Sequence, residues 1–168
     1  LTELDLYWEG AEKFRKAFEL DSTFIEAHYR YAVAVFQMGK FKEAATHLEN
    51  AIKLDANFSD ALNLWGQALF LMGDEKQALE KFEKTIKVDP TYYDAHLNLG
   101  KLFLKQGKNP EAIQQLQQAI QLIEFSSEAY KLWGFALLQM GKEQEAMEKF
   151  SKAAKIEQTM PREELGPK

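Results

Sequence analysis

Residues 36–55 read "FQMGKFKEAATHLENAIKLD", and this stretch places a glycine inside an otherwise helical pattern. The same pattern returns at a constant interval, as "FLMGDEKQALEKFEKTIKVD" at 70–89, "LKQGKNPEAIQQLQQAIQLI" at 104–123 and "LQMGKEQEAMEKFSKAAKIE" at 138–157. Recurrence at one fixed period is the signature of a repeat array. The sequence therefore predicts stacked copies of one unit.

Two small residues recur at this period. They are a glycine, at Gly39, Gly73, Gly107 and Gly141, and an alanine, at Ala44, Ala78, Ala112 and Ala146. Apolar residues follow helical spacing on both sides of each glycine, so each repeat is predicted to be two helices. The glycine would end the first helix, because a residue without Cβ takes the left-handed conformation at little cost.

A second glycine lies within the first helix, at Gly66, Gly100 and Gly134. Glycine inside a helix costs about 1 kcal/mol relative to alanine, so we expect it to permit close approach of the second helix. The recurrent alanines are predicted to face these glycines. Larger residues would fill the neighbouring layer, namely Leu48, Phe82, Leu116 and Phe150.

Threonines before two of the first helices are spaced as N-caps. Thr23 precedes Glu26 by three residues, and Thr91 precedes Asp94 by three. An N-cap hydroxyl with an acidic third residue is a common helix start. Both threonines are therefore predicted to cap their helices.

The composition argues against several classes of protein. A net charge of -5 at pH 7 gives no basic surface for a phosphate backbone, so we expect no nucleic-acid partner. No apolar run approaches the roughly 20 residues that span a bilayer, so we expect no membrane insertion. The absence of cysteine fits a reducing compartment, and we predict a cytoplasmic location.

The three histidines are interpreted as packing residues. His28 and His96 hold equivalent positions two repeats apart, and helix axes pack about 8–10 Å apart, too far for both rings to bind one metal ion at about 2 Å. His47 lies four residues after Glu43, a possible metal spacing without an evident third ligand. No catalytic triad order, phosphate loop or HExxH motif occurs. We predict no catalytic residue, metal or cofactor, and hence no enzyme.

The pattern Trp65-Gly66, Leu69, Gly73, Ala78, Phe82, Pro90 resembles the tetratricopeptide repeat, a short helix-turn-helix unit. The resemblance implies an all-α fold, a right-handed superhelical solenoid of antiparallel helix pairs. It covers residues 1–158 as a single domain, with repeat 1 partial at 1–24 and repeats 2 to 5 at 25–58, 59–92, 93–126 and 127–158. Residues 159–168 remain as a tail, in which Pro161 could open a truncated capping helix.

In this family the first helices line a concave groove that binds peptides. The matching positions here predict a peptide-binding set: Tyr29, Arg30, Val33, Asn63, Gln67, Phe70, Asn98, Lys101, Lys105, Lys131 and Phe135. Amides suit a peptide backbone, apolar positions take apolar anchors, and lysines suit an acidic segment. The predicted partner is thus a protein or peptide, with an acidic segment as one option.

Each part of that set also has a structural interpretation. The phenylalanines could pack between repeats, and the lysines could be solvated. The acids at the starts of the first helices, Glu26, Asp60, Asp94 and Glu128, are interpreted mainly as complements to the helix dipole.

One subfamily binds the acidic C-termini of the large heat-shock chaperones through a carboxylate clamp. The clamp uses Lys and Asn in one repeat, Asn in the next, and Lys and Arg in the third. Repeats 2 to 4 place there Tyr29, Val33, Leu64, Asp94 and Asn98, and repeats 3 to 5 place there Asn63, Gln67, Asn98, Glu128 and Leu132. Only Asn98 matches, so we predict no binding of that motif.

The predicted function is a scaffold that presents a preformed groove to a peptide or protein segment. Two alternatives stay open, the substrate-recognition region of a larger enzyme and a structural protein that self-assembles through exposed ends. Because repeat 1 lacks its first helix and the sequence starts at Leu1, we expect a fragment truncated at both ends.

Overall fold

A computed structural model describes residues 2–159, and every regular element in that range is an α-helix. The helices are α1 (Glu3–Leu20), α2 (Ile25–Gln37), α3 (Phe41–Leu54), α4 (Ser59–Leu71), α5 (Glu75–Val88), α6 (Tyr93–Lys105), α7 (Asn109–Leu122), α8 (Ser127–Gln139) and α9 (Glu143–Thr159). In repeats 2 to 5, the starts of the first helices and the starts of the second helices both follow the sequence period. The predicted all-α array of helix pairs is confirmed.

The turn glycine adopts the left-handed conformation in every full repeat. The φ angles are 76° at Gly39, 85° at Gly73, 71° at Gly107 and 74° at Gly141. In repeat 3, the Gly73 amide donates to the Phe70 carbonyl at 3.1 Å, and the Asp74 amide donates to the Leu69 carbonyl at 2.9 Å. These two bonds form a Schellman motif, which satisfies carbonyls at the end of α4. The predicted helix stop is confirmed.

The glycine within the first helix lies against a large side chain of the second helix. A Cβ added at Gly66 would lie 2.5 Å from Cε1 of Phe82, and one added at Gly100 would lie 2.9 Å from Cγ of Leu116. The predicted close approach is confirmed. The nearest atoms belong to the large residues and not to the alanines that we expected to face these glycines, although the Ala112 carbonyl oxygen comes within 3.6 Å at Gly100. Phe82 and Leu116 need the space that a missing Cβ leaves, and both are almost fully buried.

The helices form two compact units. The first unit (Leu1–Tyr92) contains α1 to α5, and the second unit (Tyr93–Lys168) contains α6 to α9. Within each unit every helix packs against the next one along the chain; in addition α2 contacts α4 in the first unit, and α6 contacts α8 in the second. The first helices of two consecutive repeats therefore lie side by side in each unit. The single domain over 1–158 stays a prediction.

The two predicted threonine caps are wrong. The Thr23 hydroxyl donates to the Asp21 carboxylate at 2.7 Å, and the Thr91 hydroxyl donates to the Asp89 carboxylate at 2.7 Å. These hydrogen bonds hold the pKa of both aspartates below its usual value. In each case an aspartate two residues earlier accepts the hydrogen bond of the threonine hydroxyl within a local turn. This bond competes with capping of the helix by the same threonine.

Inside repeat 2, two histidines form a hydrogen bond. Nδ1 of His28 lies 3.2 Å from Nδ1 of His47, and Nε2 of His28 lies 3.1 Å from the Ser22 carbonyl oxygen. Because a carbonyl only accepts, Nε2 of His28 carries a proton, and in the neutral pair His47 donates to His28. Burial lowers the pKa of His47, and the neighbouring His28 adds to the effect.

In every later repeat the position of His47 holds a polar residue other than histidine. In repeat 4 it is Gln115, which accepts a hydrogen bond from His96 at 2.9 Å. In repeats 3 and 5 it is a lysine whose Nζ lies over a tryptophan ring: Lys81 over Trp65 at 4.0 Å, and Lys149 over Trp133 at 4.1 Å. Both tryptophan side chains are half-buried.

Candidate peptide-binding groove

The predicted groove residues lie on the first helices of both units. Those in the first unit, on α2 and α4, are Tyr29, Arg30, Val33, Asn63, Gln67 and Phe70. Those in the second unit, on α6 and α8, are Asn98, Lys101, Lys105, Lys131 and Phe135. Each unit thus offers its own set on a pair of neighbouring helices.

In the first unit an aromatic side chain lies beside a fixed carboxylate. Tyr29 is half-buried, and its ring centroid lies 4.9 Å from that of Phe58. Burial raises the pKa of Tyr29, with a further contribution from the charge of Asp60. The Tyr92 hydroxyl donates to the Asp60 carboxylate at 2.6 Å. Asp60 therefore has a structural role besides its place in the first turn of α4.

Two of the polar residues predicted in the first unit, Arg30 and Asn63, are held within the chain or buried. Nε of Arg30 donates to Oε1 of Glu26 at 2.5 Å, and its guanidinium carbon lies 5.8 Å from the Tyr29 ring centroid. Asn63 is only 4% exposed, so its amide offers little surface to a ligand. Half-buried Gln67 keeps more of its side chain at the surface.

In the second unit an ion pair joins two first helices. Nζ of Lys101, on α6, lies 2.7 Å from Oε1 of Glu128, in the first turn of α8. The side chains are 33% and 55% exposed respectively, so the pair lies at the surface. Glu128 therefore serves as a lysine partner as well as a complement to the helix dipole.

A second ion pair joins α8 to the end of α9. Lys131 donates to Oε1 of Glu157, and this hydrogen bond holds the pKa of Glu157 below its usual value, with a smaller contribution from the Ser127 hydroxyl. The repeat period would end α9 at Ile156, but the helix continues to Thr159. The added residues place Glu157 next to the predicted lysine.

The apolar residue among those predicted in the second unit is Phe135, and its ring is exposed. Phe135 is 52% exposed, and its ring meets the Phe150 ring edge-on with centroids 5.2 Å apart. Both rings belong to repeat 5, so this contact lies within one repeat and is not the packing between repeats of the structural interpretation. Asn98 is half-buried, and Lys105 lies exposed at the end of α6.

The sequence prediction missed the pairing of the two lysines with glutamates, and it named Glu128 only in other roles. Glu128 follows Lys101, and Glu157 follows Lys131, by most of the length of one repeat. Such long separations carry no local signal, and they become informative only when the positions are placed on successive helices of the array. The structure thus adds two acidic residues to the predicted cationic site.

Among residues 2–159, no three potential ligand side chains from His, Asp and Glu come together in a group that could hold a metal ion. No helix in that same range is both long enough and apolar enough to cross a bilayer.

Family profiles match more than half of the chain. A profile described as "TPR repeat" matches residues 33–73 and 66–107, and one described as "Tetratricopeptide repeat" matches residues 94–122. No curated protein sequence matches the chain significantly.

Solved structures share the fold. A crystal structure of MamA has a TM-score of 0.83 at 23% identity, covering 88% of this chain and 86% of that one. MamA residues 41 to the end, from Desulfovibrio magneticus RS-1, give a TM-score of 0.81 at 19% identity, covering 94% and 96%. The crystal structure of YrrB, "a TPR protein with an unusual peptide-binding site", gives 0.77 at 21% identity, covering 92% and 80%. With the matching repeats, turn glycines and helix pairs, the chain belongs to the tetratricopeptide-repeat family.

Proposed function

We propose that the chain is a protein-interaction scaffold and that the α6/α8 face, defined by Asn98, Lys101, Lys131 and Phe135, binds an extended segment of a partner protein. The family and the fold support a scaffold in general. The observation that carries the specific site is Phe135, a large apolar side chain that is 52% exposed and lies about one helical turn after Lys131 on α8. Exposed aromatic residues are frequent anchors in protein interfaces.

The side chains of the α6/α8 face indicate what kind of segment would bind there. An apolar side chain of the segment would contact Phe135, and the Asn98 amide can donate to and accept from a peptide backbone. The lysines would favour a segment with carboxylates. The partner in this proposal is not the heat-shock chaperone motif, because the clamp positions match only at Asn98. Binding without catalysis and a cytoplasmic location belong to the same proposal.

The proposal is tested by selecting short peptides from a displayed library on the wild-type protein and measuring their dissociation constants. Phe135→Ala should weaken binding about fivefold or more, the scale of an interface anchor. Phe125→Ala is the matched control, because Phe125 is 56% exposed but lies between α7 and α8. Equal affinity of the wild type and the Phe135 variant would reject the α6/α8 face.

A second candidate is self-association, which the exposed side chains of Leu4 and Trp8 on α1 favour. Gly10 on the same helix has no atom within 4 Å of an added Cβ, whereas Ala44 and Ala78 at the equivalent positions are fully buried. Sedimentation equilibrium over a hundredfold concentration range tests this candidate. A constant monomer mass would remove it.

A further inference from the structure

The lysines of the α6/α8 face are each occupied by a carboxylate of the same chain. Lys101 is held by Glu128, and Lys131 is held by Glu157. A partner carboxylate can reach either ammonium only by sharing it with the glutamate or by replacing it. The two glutamates therefore hold the places that an acidic segment would need.

We propose that Glu128 and Glu157 are built-in competitors, which hold Lys101 and Lys131 against the carboxylates of an acidic partner segment. The inference rests on the proposed function of the α6/α8 face. It deepens that function by assigning a regulatory role to two residues outside the predicted peptide-binding set.

The exposure of the pairs makes such an exchange feasible. Glu128 is 55% exposed and Glu157 is 37% exposed, so each carboxylate can turn into water when it is released. Surface ion pairs are individually weak because water and salt screen them. Exchange of one carboxylate for another at a lysine therefore changes the free energy of binding only slightly.

The competition has a consequence for selectivity. A partner gains little from carboxylates alone, because each replaces an existing ion pair, so an apolar anchor at Phe135 must supply affinity. Equivalent positions in the first unit hold no lysine: Lys101 corresponds to Val33 and Gln67, and Lys131 corresponds to Tyr29 and Asn63. Carboxylate exchange of this kind belongs to the second unit.

The test removes the competitors while keeping the lysines. Glu128→Gln, Glu157→Gln and the double variant are titrated with acetylated, amidated hexaglutamate and with hexaglutamine of the same length. Acidic peptides from the library selection are measured in parallel. Each single variant should bind hexaglutamate about two- to fivefold tighter, the scale of a surface ion pair. Hexaglutamine affinity should not change.

A matched control separates local competition from net charge. Glu145→Gln removes the same charge from a carboxylate that pairs with Lys142 at 3.1 Å near the start of α9. This variant should leave hexaglutamate affinity close to that of the wild type. An equal gain in the control and in Glu128→Gln would overturn the inference.

The remaining outcomes distinguish the inference from the proposed function. If selected peptides bind with dependence on Phe135 but the double variant binds acidic ones no tighter than the control, competition is wrong and the groove stands. If no peptide binds the wild type or the double variant, both are wrong. Helicity by circular dichroism confirms that every variant is folded.

Discussion

At the scale of single residues, the hydrogen-bonded pair of His28 and His47 makes stability depend on pH. The pKa of His47 is lowered in the folded chain, so the unfolded chain binds more protons below about pH 6.5. The stabilisation is complete above that pH and is lost as pH falls through the folded pKa. For one proton this slope cannot exceed about 1.4 kcal/mol per pH unit.

Replacing His47 with glutamine should remove this acid sensitivity. Gln115 already bonds to His96 at the equivalent place in repeat 4, and an amide can donate to Nδ1 of His28. We expect His47→Gln to unfold like the wild type at pH 7.5 and to lose less stability at pH 5. Urea unfolding at the two pH values measures this difference. Equal acid losses in both proteins would mean that His47 does not titrate in this window.

The helical glycines differ in what an added methyl group would meet. At Gly66 a Cβ would overlap the buried ring of Phe82, whereas at Gly10 it would meet no atom within 4 Å. We expect Gly66→Ala to reduce the free energy of unfolding by about 1–3 kcal/mol through overpacking. Gly10→Ala should raise it by up to about 1 kcal/mol through helix propensity. Denaturant unfolding of both variants makes the comparison, and destabilisation of equal size would contradict the packing explanation.

At the scale of elements, the turn between α4 and α5 depends on one backbone conformation. Gly73 has a φ of 85° with open space around a built Cβ, so alanine would meet backbone strain without a clash. We expect Gly73→Ala to cost about 1–2 kcal/mol. Gly73→Asn should cost less, since asparagine tolerates this conformation better. Thermal unfolding measures both, and an alanine variant as stable as the wild type would show that the turn can relax.

Helix positions could be predicted from the sequence because the helix starts recur at one period and each first helix ends at a required glycine. The role of Thr23 could not be predicted in the same way, because Asp21, two residues earlier, accepts the hydrogen bond of its hydroxyl. The extension of α9 to Thr159 also departs from the period. Periodicity thus predicts the helices well, but it does not predict every cap or the last turn of α9.

At the scale of the whole molecule, contacts within each unit join helices that are adjacent or next but one along the chain. Such local topology allows fast folding, because little loop-closure entropy is lost before contacts form. We expect the main refolding phase to finish within milliseconds after a short unfolding pulse. Stopped-flow tryptophan fluorescence measures it. A dominant phase of seconds would require non-local contacts to limit the rate.

The candidate site could be predicted only in part. Family positions placed Lys101, Lys131 and Phe135 on first helices, where the structure has them. Their ion-pair partners depend on the geometry of neighbouring helices, so the sequence did not reveal that Glu128 and Glu157 bind these lysines. The burial of Asn63 likewise follows from the packing of α4, which a list of groove positions does not contain.

The residue at the position of His47 changes along the array, from histidine to lysine, glutamine and lysine. A chain of similar repeats can misfold by pairing the first helix of one repeat with the second helix of the next repeat. A shift by one repeat would bring Lys81 toward His28 and would remove the lysine from the Trp65 ring. We therefore expect these interior pairs to favour the native pairing of each first helix with its own second helix. They would disfavour pairing with a second helix of nearly the same shape from a neighbouring repeat.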